Sequence, residues 1–180
     1  RWMGRNKEIQ APEWVSEFYH PETLKEICAW TKVLKYNKEW FLLACLLGIL
    51  HHQRPGFLSY PSSHGAPYLR INKYPESDYP EMYEYREVYS RLKAKVSRVY
   101  RNFPELDYSI ERDVYKKDAA RVRMLEESIG TIITSPPYMK SLTYARDNRL
   151  RLWFLGVEDW KSLDKKISPE KNYFYKERLS

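Results

Sequence analysis

The chain is 180 residues long with a formal net charge of +7, enough for one domain with a real core or for a large piece of one. A pI near 9.2 and a mean hydropathy of −0.72 favour an acidic partner, nucleic acid first. The longest apolar run, 40–50, has eleven residues, where a spanning helix needs roughly 20, so no membrane is expected. Cys28 and Cys45 lack metal-ligand spacing and read as buried small hydrophobes of a reducing cytoplasm, with no metal site expected. The start, Arg1-Trp2-Met3-Gly4, has neither an apolar leader nor an initiator methionine, which suits a piece of a longer chain.

Residues 1–20 are a polar lead around Pro12, irregular or with one short helix. A helix is expected to open at Pro21, whose missing N–H suits the first helical position. Leu24, Ile27, Cys28, Thr31 and Leu34 recur at three- and four-residue steps along it, and Asn37 ends it. Residues 38–53 read as a second helix, apolar nearly all round and therefore buried. Pro55, Pro61, Pro67, Pro75 and Pro80 then forbid long regular structure across 54–80. In that loop Arg54, His64, Arg70 and Lys73 alternate with Phe57, Tyr60, Tyr68 and Tyr74. Two readings stand: a covering loop whose rings pack on the helices, or a surface for target recognition, with cations for phosphate and rings for unstacked bases. A third helix is expected over 81–102, with Tyr85, Val88, Leu92, Val96 and Val99 on one face. Its cations Lys93, Lys95, Arg98 and Arg101 suit a solvated surface or DNA. Region 1–105 is thus expected to be mainly helical.

Region 106–180 reads differently. Residues 107–117 suggest a turn and a strand ending at Asp118, then 119–128 a short helix or turn, then Gly130. Thr131-Ile132-Ile133-Thr134 reads as a buried strand of a parallel sheet. It stops at Ser135-Pro136-Pro137-Tyr138, since two prolines cannot donate ladder hydrogen bonds. Such a strand–helix–strand unit would have a right-handed crossover, and ligands of open α/β sheets bind outside the strands' carboxyl ends.

Ser135-Pro136-Pro137-Tyr138 resembles the catalytic motif of DNA amino-methyltransferases, which methylate the exocyclic amine of cytosine (N4) or adenine (N6). The helix after it, Tyr144-Ala145-Arg146-Asp147-Asn148-Arg149-Leu150-Arg151-Leu152-Trp153-Phe154-Leu155-Gly156, resembles that of one subset of the family. Lys117-Asp118-Ala119-Ala120-Arg121 is similar to the family's preceding strand end. Phe18-Tyr19-His20-Pro21-Glu22-Thr23 and Pro61-Ser62-Ser63 match more loosely. The resemblance implies a partial Rossmann-like α/β methyltransferase fold over 106–180, with S-adenosylmethionine as cofactor and DNA as partner. It places Asp118 and Thr134 beside the cofactor, although Asp118 read by itself is equally a helix-capping carboxylate. Lys140, Arg146, Arg149, Arg54 and Arg70 are the expected DNA contacts; for Arg146 and Arg149 the other reading is pairing with Asp147 and Glu158. Ser135 at the first motif position favours cytosine N4 over adenine N6.

The chemistry suits those residue types. The exocyclic nitrogen of a base is a poor nucleophile because its lone pair is delocalised into the ring. Oxygens accepting its N–H bonds make it more electron-rich as it attacks an electrophilic methyl group. The Ser135 hydroxyl and the Pro136 carbonyl are the expected acceptors, with Pro136 and Pro137 fixing the turn. The Tyr138 ring would stack on a base taken out of the duplex.

The family's glycine-rich cofactor turn, Asp-Pro-Phe-x-Gly-x-Gly, has no counterpart here. Gly4, Gly48, Gly56, Gly65, Gly130 and Gly156 are the only glycines, and none has that setting. The resemblance therefore implies a carboxy-terminal portion, completed by a preceding segment or a second chain. Two alternatives remain: a non-catalytic nucleic-acid-binding module, and one subunit of a split methyltransferase. Ser-Pro-Pro-Tyr alone is also a plausible proline-rich turn.

Overall fold

A computed structural model describes residues 11–101, 103–115, 117–118, 121–135 and 143–167, with the side chains of 166 and 167 excepted. The regular elements are all helical: α1 (Glu13–Ser16), α2 (Pro21–Tyr36), α3 (Trp40–Leu47), a 3₁₀ turn (Pro80–Met82), α4 (Val88–Arg101), α5 (Tyr144–Asp147), α6 (Arg149–Leu155) and α7 (Trp160–Ile167).

Helix α2 opens as its sequence dictates. Pro21 holds the first position, and the His20 ring Nδ1 accepts the Glu22 amide at 3.3 Å, satisfying one of the orphan donors of a helix start. Ile27, Cys28, Thr31 and Leu34 are buried, the expected stripe. Beyond Asn37 the chain turns through Lys38 at φ 59°. The Glu39 amide reaches the Leu34 carbonyl at 2.9 Å and the Lys38 amide the Lys35 carbonyl at 3.2 Å, the paired bonds of a Schellman ending.

The second helix is shorter than its apolar run. α3 stops at Leu47, and the chain leaves the helix so that the Ile49 carbonyl receives the Leu58 amide at 2.9 Å. Ile49, Leu50 and His51 are buried in irregular backbone, while Trp40 and Phe41 at the helix start are exposed. The third helix begins at Val88 rather than near 81. Its first amide is received by the Glu26 carboxylate Oε2 at 2.8 Å, a cap from a neighbouring helix that no local pattern announces.

The early part of loop 54–80 covers the core, while 71–73 and 76–80 are exposed. Leu58, Ser59, Pro61 and Ser62 are buried, and Phe57 packs on the core. The loop is tied to the lead by the Tyr60 amide on the Phe18 carbonyl at 2.7 Å. It folds back on itself through an antiparallel bridge between Ser62 and Leu69. The core gathers Val15, Phe18 and Tyr19 with the inner faces of α2, α3 and α4. Leu150 and Phe154 of α6 join the same cluster.

The expected α/β region is not there: among the described residues there is no strand ladder, and the Rossmann-like reading of 106–180 is overturned. Residues 107–115 and 131–135 are irregular and exposed, with Ile132 79% and Ile133 93% accessible. A strand of a parallel sheet is buried on both faces by neighbouring strands and helices. The described residues supply it with no neighbour. Around 107–110 the chain makes an Asx turn, the Asp107 carboxylate receiving the Ser109 amide at 2.9 Å. Residues 125–128 form a turn through the Ser128 amide and the Leu125 carbonyl at 3.3 Å. Further on, α5 packs against α7: the Asp164 carboxylate accepts the Ala145 amide at 2.7 Å and the Arg146 amide at 3.0 Å. That carboxylate caps α5 from outside its own sequence.

Candidate functional site

Of the residues expected to do chemistry, Pro136, Pro137, Tyr138 and Lys140 lie outside the described residues. Thr134 and Ser135 are exposed in irregular backbone, with no sheet among the described residues. Asp118 is exposed too, its carboxylate 3.7 Å from the Arg121 guanidinium and its carbonyl receiving the Arg121 amide at 2.9 Å. Among the described residues no hydrogen bond or ion pair joins Ser135 to Asp118 or to the four expected arginines.

Two of those arginines, Arg149 and Arg70, hold the fold. Arg149 donates to the Pro67 carbonyl and lies 5.1 Å from the centre of the Tyr68 ring. Partial burial lowers its pKa, as it does for a cation removed from water. Arg70 donates from its guanidinium to Gln53 Oε1 at 3.1 Å and from its amide to the Pro61 carbonyl at 2.8 Å. Arg146 stands 3.4 Å from the Asp147 carboxylate. Arg54 and Arg146 keep exposed side chains, and the Arg54 amide is bound to His52 Nδ1 at 3.1 Å. Within the loop Lys73 lies 5.5 Å from the centre of the Tyr74 ring, while Arg54, His64, Tyr68 and Lys73 stay exposed.

Two arrangements escaped the sequence reading. The first centres on Arg86, buried between α2 and the loop without a carboxylate beside it. Its guanidinium donates to the carbonyls of Phe57 at 3.0 Å, Met82 at 2.7 Å and Ser59. Its backbone exchanges two hydrogen bonds with the Thr23 hydroxyl, at 2.9 and 3.0 Å. Burial lowers its pKa, yet an arginine stays charged. Beside it, Ser59 and Ser62 hydroxyls meet at 3.1 Å, and the rings of His52 and His64 lie 4.8 Å apart. His51 donates from Nδ1 to the Ser63 carbonyl at 3.2 Å and leaves Nε2 buried without a partner. No group of three side chains suited to a metal ion forms among the described residues.

The second arrangement is on the surface. Phe41, Tyr100 and Phe103 form a run of exposed rings, with centres 5.6 and 5.9 Å apart. Arg98 and Arg101 occupy the same last turns of α4. The exposed aromatics at α4's end were legible individually, but their meeting with Phe41 depends on how α3 crosses α4.

Among the described residues, the two expected beside S-adenosylmethionine are both exposed. Asp118 is engaged with Arg121, Thr134 is exposed, and no glycine-rich cradle exists in the chain. No family model, no curated protein and no solved structure matches the chain. Among the described residues no helix is long and apolar enough to cross a membrane.

Proposed function

We propose that this chain is the catalytic-motif half of a DNA amino-methyltransferase, contributing the Ser135-Pro136-Pro137-Tyr138 segment that receives a flipped base, cytosine favoured over adenine. A preceding segment or a second chain supplies what holds S-adenosylmethionine. One observation supports the reading beyond the motif's likeness. Ser135, at the head of the motif, is exposed, so its hydroxyl is within reach of an incoming base. In this role Ser135 and the Pro136 carbonyl accept the target amine's N–H bonds, and Tyr138 stacks on the base.

A second reading, a nucleic-acid-binding module without catalysis, is favoured by the exposed rings Phe41, Tyr100 and Phe103 beside Arg98 and Arg101. Successive rings stack bases and cations neutralise phosphates.

Calorimetric titration of the chain with S-adenosylmethionine tests the half-site. The expected result is no heat of binding at micromolar concentrations. Micromolar binding would contradict the need for a completing component.

A further inference from the structure

Helix α4 carries five cations in fourteen residues, Arg91, Lys93, Lys95, Arg98 and Arg101, and no carboxylate. Its inner face is occupied: Val88 and Leu92 are buried, and Val96 and Val99 pack against the core. The outer face stays open. Tyr89, Lys93, Ser97 and Tyr100 are all exposed, and steps of four, four and three residues put them on one stripe of the helix.

Where α4 ends, aromatic rings stand together in the open. Phe41, Tyr100 and Phe103 are 41%, 60% and 52% accessible. A lone exposed ring is ordinary, but a contiguous run of them marks an interaction surface. The fold holds the run in place: the Phe103 amide donates to the Tyr100 carbonyl at 3.2 Å, and Phe41 arrives on α3, which packs on α4. Arg98 and Arg101 lie in the same turns, exposed, and among the described residues no ion pair engages either. Arg70, Arg86 and Arg149 differ, because their guanidinium groups donate into the fold.

We propose that this end of α4 binds single-stranded nucleic acid, with unpaired bases stacking on the Phe41, Tyr100 and Phe103 rings and phosphates meeting Arg98 and Arg101. A duplex hides its base faces inside the stack, so it can use the cations but not the rings. A strand of unpaired bases offers a flat face and a negative charge at every nucleotide. An acidic protein would match the cations and leave the rings bare. The inference rests on the nucleic-acid-binding reading and narrows it to one form of nucleic acid and one place.

Fluorescence anisotropy of the whole chain with a labelled thymidine dodecamer tests it, beside a base-free sugar-phosphate strand of the same length. The thymidine strand should bind about tenfold more tightly than the base-free strand, the worth of one stacked base. Tyr100→Ala combined with Phe103→Ala should erase that difference and leave the base-free strand bound as before. Both side chains are half exposed, so this variant should melt close to the parent temperature, which shows that it folds. Arg98→Gln should weaken both strands and lower the salt slope by about one. Equal binding of the two strands would overturn the inference and leave a charge-driven nucleic-acid module standing, whereas no binding of either would remove both. A preference for bases that survives the ring variant but is lost in Tyr138→Ala would place the base contact at the motif and overturn it too. Self-association of the free chain that the ring variant abolishes would assign the rings to a second copy, with the same consequence.

Discussion

Arg86 shows how a single buried side chain can fix a loop that has no regular structure. Three carbonyls from two segments converge on one guanidinium, so removing it orphans three buried acceptors at once. Arg86→Met should lower unfolding stability by about 3 kcal/mol, since each unsatisfied buried polar group costs about 1–3 kcal/mol. Urea denaturation measures this, and Arg86→Lys should recover little because an ammonium cannot span the same three acceptors. A second residue-scale consequence concerns acid. Burial pushes the His51 pKa down to about 4, with the nearby Arg151 guanidinium adding to it, and His52 and His64 contributing less. The folded state thus holds neutral His51, while the unfolded chain takes up the proton near pH 6.5. The stability it contributes is complete above about pH 6.5 and is lost as pH falls towards 4, at about 1.4 kcal/mol per unit. Urea midpoints measured between pH 7 and pH 4.5 should fall accordingly, and His51→Gln should flatten that slope.

At the scale of elements, α2 and α6 end in the same pattern with opposite residue choices. After α6 the left-handed position is Gly156 at φ 92°, and the Val157 amide reaches the Leu152 carbonyl at 2.9 Å. After α2 that position is Lys38 at φ 59°. A side chain in this conformation costs roughly 1–2 kcal/mol that glycine does not. Gly156→Ala should therefore destabilise the chain by about 1 kcal/mol, and Lys38→Gly should stabilise it by somewhat less, both readable as shifts in thermal midpoint. Arg149 tests the role of the loop. If it is a brace on Pro67 and Tyr68, Arg149→Ala should speed proteolytic cleavage between Arg70 and Lys73 while nucleic-acid affinity changes less than twofold. A large loss of affinity with unchanged cleavage would make it a phosphate contact instead.

The helices were legible where local chemistry decided them. Pro21, the spacing of Ile27, Cys28, Thr31 and Leu34, and the break at Asn37 gave α2 nearly to the residue. The start of α4 was not legible, because its cap is Glu26, more than sixty residues away. The end of α3 was hidden for a similar reason: the backbone leaves the helix to meet Leu58, which no hydropathy pattern encodes. The misreading of 131–134 has a different origin. β-branched residues fit a strand only when other strands exist to bury them, and a short apolar run carries no record of whether they do. The exposed setting of 131–135 was likewise not legible.

For the whole molecule, a helical body braced by Arg86 and Arg149 carries an exposed segment, 131–135, that ends on Ser135, the first residue of the proposed motif. A net charge of +7 favours any acidic partner, so nucleic-acid binding by itself would separate nothing. Preference for an extruded base does. The deciding measurement is fluorescence anisotropy of a labelled duplex whose central cytosine faces an abasic site, compared with the fully paired duplex. An unpaired base lowers the work of extrusion, so the chain should bind the abasic duplex several-fold more tightly. Ser135→Ala and Tyr138→Ala should erase that preference and leave the paired duplex bound as before. Equal affinity for the two duplexes, or a preference untouched by both substitutions, would contradict a base-receiving motif and leave a module that binds by surface charge and exposed rings.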